Sequence, residues 1–389
     1  MNATLNPNVL QWARKKAGLS EETLAEKIGV KLGLVKEWET TGSIPFGMVE
    51  KLAEKTRTAF GFLFLQEPPH PSLPIADFRR IDDNHPSVPS DELLDVIYAA
   101  QLKQNWFREF QISNGANPIA FVGKSSIKTP TKEIAADIRA TLNIGSALSA
   151  MVTTWEEAWS TTIEATEEAG ILVLCAGYAG GFTQRTLSVD EFRGFAMSDK
   201  YAPLIFVNGA DAPAARLFTL AHEIAHIWIG ETGISNLERT YAAGNTIETY
   251  CNSVAAEVLL PLDELRSAWR GKTNDIGEVD RLSHKYKVSR LVVARRAHDA
   301  GFFTKEKYGD YYQLLIAQAK AKKAETGGGK WYINEKYQNS RRFSLTIIQE
   351  ALAGRTRQRD AMQFLGIKKD ATFRKYTQSL QGGIEWPIY

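Results

Sequence analysis

Cysteine is almost missing from this chain: there are two in 389 residues, Cys175 and Cys251, each inside an apolar run. That excludes a disulfide framework and fits small buried side chains in a reducing compartment, so a cytoplasmic protein is expected. Long apolar runs are missing as well, and none approaches the ~18 residues that mark a membrane helix. The opening MNATLNPNVLQWARKKAGLS lacks the basic-then-apolar pattern of an export signal, so no membrane partner is expected. No fixed-period repeat runs through the sequence, and the net charge is only +2.

What is present is an ordinary globular composition, 44% hydrophobic and 24% charged, at a length that suggests two to four domains. The small net charge hides an asymmetry. Residues 281–375 carry 22 Lys/Arg against 8 Asp/Glu, an excess of +14 that leaves −12 for the rest of the chain. This basic third is expected either to dock something acidic, nucleic acid or protein, or to form a solvated helical surface.

Residues 8–65 read as short helices. VLQWARKKAGLS ends at Gly18, Ser20 caps EETLAEKIG, a turn follows at Gly29-Val30, and KLGLVKEWE and PFGMVEKLAEKT complete the set. The layout is that of a helix-turn-helix, and it resembles the Xre/Cro type, with Ala25, Gly29, Val35, Trp38 and Glu39 in the familiar places. Its DNA-reading face is poor, because the second helix opens with Lys31, Leu32 and Gly33 and adds Lys36 a turn later. Lys31 and Lys36 are its candidate contacts, and dimerisation through this module is the other use expected of it.

The expected organisation is a helix-turn-helix domain at 1–68, a proline-rich linker at 69–88, a helical connector at 89–164, a core at 165–268 and a basic helical region at 269–389. In the connector, PTKEIAADIRATLNIG is expected to be closed by Gly145 and TWEEAWSTTIEATEEAG by Gly170. ILVLCAG, FRGFAMSD and PLIFVN read as short strands, so the fold class is α+β and mostly helical. TGGGKWY is expected to be a turn. LSHKYKVSRLVVARRAHDAG gives a second, more basic helix-turn-helix pattern, whose Lys285, Lys287, Arg290, Arg295 and Arg296 are candidate nucleic-acid or partner contacts.

The chemistry concentrates in RLFTLAHEIAHIWIG. On a helix His222 and His226 are four residues apart, so their rings point the same way, about 6 Å apart, and can take two corners of one zinc. Glu223 lies about 100° further round. There it can reach an acidified water without being a ligand, the division of labour of HExxH peptidases. The bland reading is a buried helix whose histidines bond to backbone. Against it, the flanks are apolar nearly all round, so Glu223 without a role would be an uncompensated buried charge.

A third ligand is expected from the next helix, NTIETYCNSVAAEVLLP, which offers Glu248 and Glu257 on opposite faces. The face of Glu248 continues through Asn252, Ala255 and Leu259, suited to close helix packing, whereas that of Glu257 runs through polar residues. Glu248 is therefore preferred and Glu257 is the alternative. One Zn2+ per chain is the expected cofactor, with manganese as a substitute that the same donors would accept.

RLFTLAHEIAH followed by IETYCNSVAAEVLLP resembles the ImmA/IrrE family of zinc metallopeptidases, closely over residues 165–265 and weakly over most of the chain. Val254 stands where that family commonly has phenylalanine. The resemblance implies a gluzincin-like sheet with an active helix, His222, His226 and Glu248 as ligands, and Glu223 as base. It also implies a narrowly specific cytosolic endopeptidase that cleaves a repressor or another regulatory protein. A substrate strand is expected to add along an edge near FRGFAMSD, and Arg239 and Tyr241 are candidate transition-state stabilisers. The alternative is a regulator or antitoxin-like protein that holds a toxin partner and DNA with little or no proteolysis.

Overall fold

The computed structural model describes residues 2–56, 58–69, 73–77, 89–144, 152–180, 184–235, 246–271, 275–325 and 337–381. It falls into two compact units, one of Met1–Leu73 with Pro86–Ser90 and one of Pro74–His85 with Asp91–Tyr389. TGGGKWY lies outside the described residues, as do Arg239 and Tyr241.

The first unit packs four helices, α1 (Pro7–Lys16), α2 (Glu21–Ile28), α3 (Leu32–Thr41) and α4 (Phe46–Thr56). An antiparallel ribbon joins them, β1 (Asn2–Thr4) with β2 (Ser43–Pro45). Ser20 accepts the Thr23 amide at 3.1 Å and so satisfies one of the donors that a helix start leaves open. Val9, Leu10, Leu24, Val35, Trp38, Val49 and Leu52 fill the core. Glu39 takes Arg14 in two hydrogen bonds of 2.6 and 2.7 Å, both groups buried, which fastens α1 to α3.

The second unit is built on a five-stranded mixed sheet. Its strands are β3 (Ala76–Asp77), β4 (Leu172–Ala176), β5 (Gly194–Met197), β6 (Leu204–Asn208) and β7 (Gly233–Ser235), in the order β3-β7-β5-β6-β4. β4 pairs with β6 and β3 with β7 in parallel, while β5 is antiparallel to both neighbours. FRGFAMSD is therefore not an edge. β5 is flanked on both sides, so the edge near FRGFAMSD at which a substrate strand was expected to add is filled by the chain's own β7, a strand too short to leave a sequence pattern.

Around the sheet stand α5 (Asp91–Ser113), α6 (Thr131–Thr141), α7 (Trp155–Glu168), α8 (Pro213–Ile229), α9 (Thr246–Leu259) and α10 (Leu262–Ala268). α7 starts with a reciprocal capping box between Thr154 and Glu157. α6 stops at Thr141 with Leu142 as its cap, ahead of the expected Gly145, and Asn143 takes a left-handed φ of 51°. α8 lies against β5, β6, α7 and α9. Leu220, Ile224, Ala225, Ile227 and Trp228 enter one core with Val173, Ile205 and Val254, each large apolar side chain contributing roughly 1.5–3 kcal/mol by leaving water.

The basic region continues as α11 (Asp275–Tyr286), α12 (Arg290–Asp299), α13 (Lys305–Glu325), α14 (Arg341–Leu352), α15 (Gln358–Leu365) and α16 (Asp370–Gln381). Lys287, at a left-handed φ of 53°, breaks α11 from α12. Glu167, near the end of α7, accepts the backbone amides of Arg341 and Arg342 at 3.1 and 3.3 Å and so anchors the start of α14.

Candidate metal centre

α8 opens on Pro213, whose missing amide costs nothing in a first turn, and closes on Gly230. Gly230 has φ +78°, and a Cβ there would lie 3.0 Å from the Gly123 Cα, so only glycine fits the stop. The helix thus presents His222, Glu223 and His226 at fixed heights inside the protein. All three side chains, and that of Glu248 from the first turn of α9, are 0% exposed.

The two Nε2 atoms of His222 and His226 stand 3.0 Å apart. The Glu248 carboxylate closes the third corner, with Oε2 3.3 Å from His222 Nε2 and Oε1 3.0 Å from His226 Nε2. Ligand bonds of ~2.0–2.1 Å at tetrahedral angles set donors ~3.3 Å apart, so these three fit one metal ion of zinc size. His222 Nδ1 lies 2.9 Å from Asn252 Oδ1. An Nδ1–H donated to that amide oxygen leaves the Nε2 lone pair facing the centre, as metal-binding imidazoles require.

Burial shapes the charges. Burial pushes Glu223 up to about 8, and the nearby His222 and the Ser235 hydroxyl offset only part of this. Burial would raise Glu248 too, but His222 and His226 beside it bring it down to about 2. Burial lowers His226, while His222 is raised against burial by the Glu248 charge. A divalent cation among these groups would favour an ionised Glu223.

Glu223 Oε1 accepts a hydrogen bond from the Ser235 hydroxyl, and Glu223 Oε2 has no hydrogen-bond partner among the described residues. Gly194 sits over the same carboxylate: a Cβ there would fall 2.9 Å from Glu223 Oε1 and 2.7 Å from Thr219 Cγ2. Neither Ser235 nor Gly194 was singled out in the sequence. Both reach Glu223 through strand pairing, which leaves no local pattern.

The other candidates fall elsewhere. Glu257 is buried against Arg296 and takes no part in the cluster. Arg296 is itself 5% exposed, donates to the Leu260 carbonyl at 2.9 Å and lies 3.3 Å from Asp299. This corrects the reading of Arg296 as a nucleic-acid or partner contact, because its guanidinium is used up inside the fold. Arg290 pairs with Asp280 at 2.5 Å and Arg295 with Asp299 at 3.1 Å. Lys287 donates to the His284 carbonyl, and Lys285 lies over the Tyr286 ring. Lys31 at the N-cap of α3 and Lys36 on its first turns are exposed, Lys36 standing 3.7 Å from Glu21.

Comparison with known families converges on the same stretch. Residues 181–298 match the model of the IrrE N-terminal-like domain, Peptidase_M78. Residues 339–379 match that of a domain of unknown function, DUF8813. No curated protein matches the chain. The first match supports the ImmA/IrrE family for the part that carries the cluster, and with it a metallopeptidase-family protein. Among the described residues no helix is long and apolar enough to cross a membrane.

Proposed function

We propose that this protein is a zinc-dependent endopeptidase of narrow specificity acting on a regulatory protein. The observation that carries the reading is Glu223. It is a fully buried carboxylate, next in sequence to His222 and beside a His-His-Glu cluster that brings three donors, not four, among the described residues. A structural zinc site usually closes with four protein ligands and has no use for such a base.

His222, His226 and Glu248 would hold the zinc, which supplies Lewis acidity to the scissile carbonyl. Asn252 fixes the His222 ring, and Glu223 takes the proton of the attacking water and returns it to the leaving amine. The complete burial of all four groups supports a gated enzyme, weak on generic substrates. The test is metal content and cleavage together. Wild type should hold one zinc per chain and lose all cleavage with a chelator; zinc retained by a Glu248→Ala, His222→Ala double variant would refute the ligand set.

A second reading has its own support in the first unit. α2 and α3 meet across a short turn at Gly29 with Lys31 and Lys36 exposed, the arrangement of a DNA-binding helix-turn-helix, which would make the chain a regulator holding DNA and a protein partner such as a toxin or repressor.

A further inference from the structure

The antiparallel edge of β5 beside the catalytic helix is already taken by the chain itself. β7 lies along it in the register Gly194 to Ser235, Phe195 to Ile234 and Ala196 to Gly233, and the Arg193 amide donates to the Ser235 carbonyl at 3.2 Å. The Gly194–Ser235 pair stands directly over Glu223. Gly194 offers only a hydrogen toward the carboxylate, and Ser235 places its hydroxyl on Oε1. Ile234 is 0% and Ser235 1% exposed, so β7 lies buried along that edge.

We propose that β7 is an internal occupant of the substrate edge, holding the place on β5 that an extended segment of a protein substrate takes when the enzyme acts. This rests on the peptidase reading above, which makes a polypeptide the ligand of the cleft. An extended peptide offers β5 the same antiparallel donors and acceptors as β7, so exchange of one for the other leaves no ladder group of β5 unpaired and breaks only the two-residue pairing of β7 with β3. Departure of β7 also takes the Ser235 hydroxyl off the Glu223 oxygen. Opening the edge and releasing the base are one event. β7 is suited to leave: it is three residues long, and among the described residues its outer side pairs only with the two residues of β3.

The test uses the full zinc-loaded chain with Glu223→Gln to prevent turnover, and fluorescein-labelled reduced and carboxymethylated α-lactalbumin as an unfolded polypeptide probe. Ser235→Ala removes the hydroxyl contact and should tighten probe binding about five- to ten-fold. Ile234→Pro removes the amide that β7 turns away from β5, toward β3, so it loosens β7 from its outer neighbour and should tighten binding by about ten-fold or more, since apparent affinity scales with the fraction of molecules whose edge is free. Circular dichroism and Tm establish that each variant is folded. If folded Ser235→Ala binds no more tightly than its parent, the proposal is overturned, even where Ile234→Pro unfolds the sheet. Cleavage is read separately with Glu223 restored. Tighter binding without cleavage by any form refutes the peptidase reading and leaves the strand proposal standing; efficient wild-type cleavage with no gain from either variant does the reverse.

Discussion

Glu223 and Glu248 are carboxylates in one buried site held in opposite states, the first pushed up to about 8 by burial and the second brought to about 2 by two histidines. Environment, not residue type, separates the two carboxylates, and on the proposed reading a bound divalent cation would bring Glu223 to the ionised form that a base requires. Asn252 is the residue on which the proposed ligand geometry leans, because among the described residues it is the side chain that holds the far ring nitrogen of His222. Asn252→Ala should weaken zinc affinity about 10–100-fold in competition with a chromophoric chelator, as loss of a ligand's supporting hydrogen bond does elsewhere; an unchanged affinity would show that packing alone orients the ring. At this scale the sequence was most legible where chemistry follows helical period. His222 and His226 could be placed on one face from their spacing, and Glu248 could be preferred over Glu257 from the small residues that share its face. Arg296 was misread because charge in a sequence does not reveal burial, and its partner Glu257 is 39 residues away.

Between elements, local signals fixed the ends of helices but not the neighbours of strands. Ser20 acts within one turn and was read directly, whereas the Thr154 box and Pro213, equally local, were not singled out. β3 and β7 have two and three residues, too few to show an alternating pattern, and their pairing is decided by contacts far along the chain. Gly230→Ala should cost about 1–3 kcal/mol in chemical denaturation, since it strains a left-handed stop and meets the backbone of Gly123. The link between α7 and α14 has a pH signature. Burial pushes Glu167 from 4.5 to about 7, against the amides of Arg341 and Arg342 that favour its charge. The folded form keeps its proton to higher pH than the unfolded chain does. This contribution is therefore complete below about pH 4.5 and is lost as the pH rises through 7, a change of about 3 kcal/mol. Denaturation of wild type and Glu167→Gln at pH 5 and pH 8 should show the wild type losing stability relative to the variant; parallel curves would mean the carboxylate is already ionised at pH 5.

Across the whole molecule, the basic excess of residues 281–375 turns out to be partly spent internally, on acids outside that stretch: Asp280 with Arg290, Glu257 with Arg296 and Asp275 with Lys307. What remains for a polyanion is smaller than composition implies. If exposed lysines such as Lys31, Lys36 and Lys285 do contact phosphates, DNA binding should weaken steeply with salt, with a slope near −0.9 per phosphate neutralised. A flat salt dependence would point instead to a protein partner for the basic helices. The central claim, that the buried cluster makes a specific endopeptidase, is tested most directly by trapping. Glu223→Gln and wild type are purified side by side from cells that make the protein, and bound proteins are sequenced. The account predicts a protein retained intact by Glu223→Gln and cut at one position by wild type, with the cut abolished by chelation. The same uncut protein retained by both forms in fixed ratio would contradict it.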